Sequence, residues 1–188
     1  MKRKLFGIAM IIIAVSILAH NSLAHFTVSK VAHNVIIAGN VNIALLQWKD
    51  EARGSGDEFT DDEILVMPGV EVTKIVEIQN TGIGDAFVRV KLDKNILLDS
   101  GKKGDANLID ININNQDWTF KDGYYYYNTK LAKGQVTTPL YTKVGFSTAM
   151  DGLYRKSKAT IDITAYAVQV ANNGEDPFLA DGWPDDTP

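Results

Sequence analysis

Three histidines, a scatter of carboxylates and no cysteine are the raw material for any reactive centre in this chain. The histidines are His20, His25 and His33. No His-Glu-x-x-His pattern surrounds them, and on extended backbone His25 and His33 stand roughly 26 Å apart, too far to share a zinc ion. They are expected as exposed polar residues. The absence of cysteine excludes thiolate-bound zinc, iron–sulfur clusters and thiol nucleophiles. Neither a Gly-x-Ser-x-Gly elbow nor a phosphate-cradling Gly-x-x-x-x-Gly-Lys loop is present. A Ser/His/Asp constellation built by folding would have to draw on His25 or His33. Asp57, Asp61, Asp62 and Glu63 offer the carboxylate oxygens that calcium prefers, without the regular spacing of a dedicated loop, so a solvated acidic segment is expected. The expectation is a protein that is not an enzyme and holds no cofactor or metal.

Two features point to contact rather than catalysis. Tyr124, Tyr125, Tyr126 and Tyr127 form an unbroken run. In a strand they place two rings on each face, and tyrosine suits both sheets and wet interfaces because a large apolar ring ends in a hydroxyl. One pair is expected to pack and the other to shield an edge or serve as a platform for carbohydrate or a partner, with Tyr125 and Tyr127 as candidate interface aromatics. Lys74 falls on the apolar parity of its segment; an edge position with the amine reaching water is expected, and an isopeptide cross-link is the sharper alternative.

The elements that must carry these residues follow a period of two. In Val70 to Ile78, Val70, Val72, Val76 and Ile78 share one parity while Glu71, Thr73 and Glu77 take the other. Asn80 to Gly84 reads as a turn, and Ala86 to Leu92 alternates again. Further strands are expected at Val35 to Leu46, Leu108 to Ile113, Gly123 to Asn128, Leu140 to Phe146 and Ala159 to Val170. About seven strands with no convincing amphipathic helix predict an all-β fold, a β-sandwich, jelly roll or barrel. Short helices are placed at Lys49 to Glu63 and Asp93 to Gly101. The acidic stretch Lys49 to Asp62 is expected to be solvated, and the tail 172–188, with three of the five prolines, to be loosely held with Trp183 docked.

Ahead of the domain, Lys2, Arg3 and Lys4 precede an apolar run from Leu5 to Leu18, and Ser22-Leu23-Ala24 fits a signal-peptidase site. Residues 1–24 are therefore read as a signal peptide cut between Ala24 and His25, and the protein as secreted; an uncleaved anchor is the alternative. Loss of those three positive charges moves the formal net charge from -4 to -7 over the remaining 164 residues. An acidic protein is not expected to bind nucleic acid or an anionic membrane.

Several segments resemble the TasA and camelysin family of extracellular proteins. They are Ser22-Leu-Ala-His-Phe-Thr27, Ile37-Ala-Gly-Asn-Val-Asn-Ile43, Met67-Pro-Gly69, Asn80-Thr-Gly82 with Ala86-Phe-Val-Arg-Val90, and Ala165-Tyr-Ala-Val-Gln169. Trp118, Gly123 to Tyr127 and Gly182-Trp183 are most similar to the clostridial biofilm-matrix, BsaA-like branch. The resemblance implies a jelly-roll-like antiparallel β-sandwich (35–171), a structural role in biofilm matrix fibres, and processing by a dedicated signal peptidase. It also implies assembly of copies by donor-strand addition, with 25–34 as the arm and Phe26, Val28 and Val31 as its apolar contacts, and other matrix proteins as further partners. Camelysin-type relatives imply a metalloprotease as one alternative; a surface adhesin or carbohydrate-binding module is another.

Overall fold

The computed structural model describes residues 34–38, 41–54, 58–59 and 63–184. The N-terminal calls at Ala24, His25, Phe26, Val28, Val31 and His33 lie outside them, as do Asp57, Asp61 and Asp62. The described residues belong to one unit, Ala32–Pro188.

Ten strands are described: β1 (Asn34–Ala38), β2 (Ile43–Trp48), β3 (Glu63–Leu65), β4 (Glu71–Asn80), β5 (Ala86–Leu97), β6 (Ile109–Ile111), β7 (Trp118–Lys121), β8 (Tyr124–Tyr127), β9 (Tyr141–Phe146) and β10 (Lys158–Gln169). They make two sheets. The six-stranded sheet runs β1-β10-β5-β8-β7, with β3 also on β10, and the four-stranded sheet runs β2-β4-β9-β6. All pairings are antiparallel except β1 on β10. The fold is all-β, and the two sheets share one hydrophobic core. Val76, Ile78, Val144 and Phe146 from the smaller sheet join Val88, Val90, Ile161, Ile163 and Ala165 from the larger one in a single cluster. Each such aliphatic side chain contributes about 1.5–3 kcal/mol by leaving water.

Alternation explains the longest strands. In β5, Ala86, Val88 and Val90 enter the core, and their partners in β10 are Gln169, Ala167 and Ala165. Small alanines opposite valines let the two strands carry a dense inner face. The β7–β8 hairpin turns on Asp122-Gly123, both at positive φ (51° and 87°), which suits the two-residue turn that matches strand twist. Pro68-Gly69 makes another tight turn, with Gly69 at φ 77° and Val70 N–H donating 3.0 Å to Met67 O.

Four expectations change. The single strand expected over Val35 to Leu46 is two strands in different sheets. β1 joins β10 in the larger sheet while β2 joins β4 in the smaller one. The helices expected at Lys49 to Glu63 and Asp93 to Gly101 are absent from the described residues: β5 continues through Leu97, and β3 closes the first stretch. Cross-strand pairing with β10 overrides helix propensity there. Lys74 is not on an edge strand. It lies in β4 between β2 and β9 beside a register shift at Thr73/Val76, is 3% exposed, and sets its amine 4.4 Å above the Phe59 ring. Glu77, expected to face water, is buried because the segment after β2 folds over it. Arg53 binds it through two nitrogens at 3.2 and 3.1 Å, and Trp48 Nε1 donates to it at 3.0 Å.

Candidate functional site

The tyrosine strand β8 lies between β5 and β7, so both of its edges are paired. Its parity divides the rings. Tyr125 and Tyr127 pack against the shared core. Tyr127 meets buried Trp118 at 5.1 Å, and Tyr125 meets Phe120, itself 60% exposed, at 4.9 Å. Burial pushes the Tyr125 phenol above its ordinary pKa. Tyr124 and Tyr126 take the opposite, outer face of the six-stranded sheet.

That outer face centres on Arg89. Register aligns Tyr166, Arg89 and Tyr126 across β10, β5 and β8. The guanidinium carbon lies 3.9 Å from the Tyr124 ring centre, 4.7 Å from Trp183 and 5.3 Å from Tyr166. Nη1 donates to the Tyr126 hydroxyl at 3.2 Å and Nη2 to Pro184 O at 3.3 Å. Arg89 Nε is buried and finds no partner among the described residues. A planar cation among ring faces gains from their quadrupoles, about 2 kcal/mol when desolvated.

The rings on the far side come from the C-terminal segment, which lies across the sheet. Phe178 and Trp183 approach Tyr126 at 5.4 and 5.7 Å, and Ala180 and Trp183 join Phe87 and Val168 in a second, smaller apolar cluster. The tail expected to be loosely held is thus packed as far as Pro184. Trp183 was anticipated as its anchor. Arg89 and Tyr166 were not, although their outward parity between core residues is visible in each strand.

At the end of the sandwich an open groove of about 300 Å³ is lined by Val41, Ile83, Asp85, Gln169 and Val170. Among the described residues no group of three or more His, Asp or Glu side chains is arranged to hold a metal ion, and no helix is long and apolar enough to cross a membrane. The groups gathered around Arg89 are a cation, ring faces and hydroxyls.

Compared with protein-family models, curated proteins and solved structures, the chain has no match in any of the three.

Ala86 to Val90 pairs residue for residue with Ala165 to Gln169. Asn42 O accepts the N–H groups of Thr81 and Gly82, both at 2.9 Å. A Cβ on Gly82 would stand 2.8 Å from Asn42 N, so this contact requires glycine. Gly182-Trp183 sits on the tyrosine strand.

Proposed function

We propose that the chain is a secreted structural subunit, not an enzyme, that assembles with copies of itself into extracellular matrix fibres after a dedicated signal peptidase removes residues 1–24. Its two sheets are read as a jelly-roll-like sandwich. The observation that carries the proposal is the position of β1. This five-residue strand forms the edge of the larger sheet by parallel pairing from Asn34↔Thr164 to Ala38↔Val168, and it begins at Asn34, the last residue of the expected arm 25–34. An edge strand is held along one side by backbone bonds, and the same row of donors and acceptors accepts a strand from another molecule. Donation from copy to copy is heterologous and generates an open filament.

Electron microscopy and light scattering of residues 25–188, compared with the chain lacking 25–34, test this. Filaments or large species are expected from the first and monomers from the second. A monomeric 25–188 at several hundred micromolar, or filaments that survive the deletion, would overturn it.

A further inference from the structure

The outer face of the six-stranded sheet and the C-terminal segment across it are complementary in charge. The described part of that segment, residues 172–184, carries Glu175, Asp176 and Asp181 and no lysine or arginine. Their seat is cationic. Lys130 lies between Glu175 at 3.6 Å and the domain's own Asp85 at 3.9 Å, Lys121 Nζ donates to Phe178 O at 3.4 Å and lies 5.8 Å from the Phe178 ring, and Arg89 holds Trp183 and Pro184 O. In a protein of net negative charge this is a local inversion, matched to an acidic peptide bearing aromatic rings.

The segment is tethered loosely compared with a strand. Its described backbone bond beyond Gly174 runs within itself, from Leu179 N–H to Asp176 O, and its grip on the sheet is through side chains and two accepted carbonyls. Pro177 and Ala180 are buried, but Leu179 is 74% exposed. It leaves β10 through Asn172 and Gly174, both at positive φ (69° and 74°), a sharp reversal that a different turn would replace with an outward course.

We infer that the Arg89 face is a peptide-binding surface and that its occupant in trans is the acidic C-terminal segment of a second copy, exchanged for the chain's own. The identical segment makes the identical contacts in either arrangement, so exchange costs little beyond association itself. A flexible tether gives the resident segment an effective concentration in the millimolar range, and neighbouring copies compete as their local concentration approaches it. The inference does not involve the N-terminal arm and stands or falls separately from it.

The natural chain has no cysteine, which allows a direct test. Lys121→Cys marks the seat and Leu179→Cys marks the segment; both side chains are exposed, and Lys121 gives up its 3.4 Å bond to Phe178 O and its place 5.8 Å from the Phe178 ring while Arg89 and Trp183 remain. With a short bifunctional thiol reagent, the double variant is expected to cross-link within one chain. A mixture of the two single variants at high concentration is expected to give a covalent dimer joining Cys at 121 to Cys at 179. Excess synthetic peptide 172–188 should suppress that dimer, and Trp183→Ala in the Lys121→Cys partner, which weakens that chain's own segment and leaves the incoming one intact, should raise its yield about tenfold. If the double variant joins internally but the mixture yields no such dimer above either variant alone, the segment never leaves its seat and the inference fails. If the double variant does not join internally, the segment does not occupy the face, and the inference fails equally.

Discussion

Asn80, at the end of β4, is buried and completes a three-way junction. Its Nδ2 donates to Gly84 O at 2.8 Å and to Leu131 O at 2.9 Å, and its Oδ1 accepts from Gly82 N–H at 2.9 Å. Asn80→Ala removes three bonds of about 1 kcal/mol each, but Gly82 N–H keeps Asn42 O, Leu131 O keeps Ala86 N–H and Gly84 is open to water, so the loss is roughly 2–3 kcal/mol. For a domain of this size that is a fall of roughly 4–12 °C in melting temperature, read by circular dichroism or calorimetry on residues 25–188. Asn80→Asp sharpens the test. At neutral pH its carboxylate keeps the Gly82 bond but faces two carbonyl oxygens, so its folded-state pKa rises above the unfolded value of about 3.9. The resulting deficit, measured against the parent at each pH, is complete above the raised value. It shrinks as pH falls, and its pH-dependent part is gone below about 3.9, where the protonated group donates to one carbonyl and the loss of the other leaves about 1 kcal/mol. An alanine variant melting within about 2 °C of the parent, or an aspartate deficit that is flat from pH 3 to 8, would refute this account.

Tyr141 has a buried hydroxyl with no partner among the described residues, and burial pushes its phenol far above the ordinary range. Tyr141→Phe is therefore expected to leave stability unchanged or raise it by about 1 kcal/mol in urea denaturation, and Tyr141 should not ionise in an alkaline ultraviolet titration before the fold is lost. Asp117 accepts from Asn114 and from the Thr138 hydroxyl, which hold its carboxyl below the usual value. Its stabilising effect is present above the unfolded pKa and lost as pH falls through the lowered folded one. A carbon-detected titration should find its midpoint below ordinary aspartate, and Asn114→Ala should move it up.

Strands whose alternation runs long were legible in the sequence, because one buried face leaves a pattern no turn can imitate. β4, β5, β9 and β10 lie within two residues of expectation at their starts. β7 was not foreseen, since four residues between Asp117 and Asp122 carry too little pattern, and β3 was hidden in a segment whose acidity suggested solvent. The break within Val35 to Leu46 was invisible because both pieces are apolar and differ only in which sheet receives them. Lys74 and Glu77 show the same limit: a loop returning over β4 buries polar groups that parity assigns to an edge or to water. The face around Arg89 required knowing that β10, β5 and β8 are adjacent and that the tail returns across them. Its rings are conspicuous in the sequence; their convergence is a property of register.

The parallel pairing of Asn34 with Thr164 also sets an order of events. The first strand of the domain has no seat until the last one exists, so a chain emerging from its N-terminus must keep its leading segment waiting while everything between is made. Such distant closure is slow. For the duration of that delay each newly made molecule presents a vacant rim and an unspent ribbon at once, and crowding among nascent chains would decide which rim each ribbon reaches first.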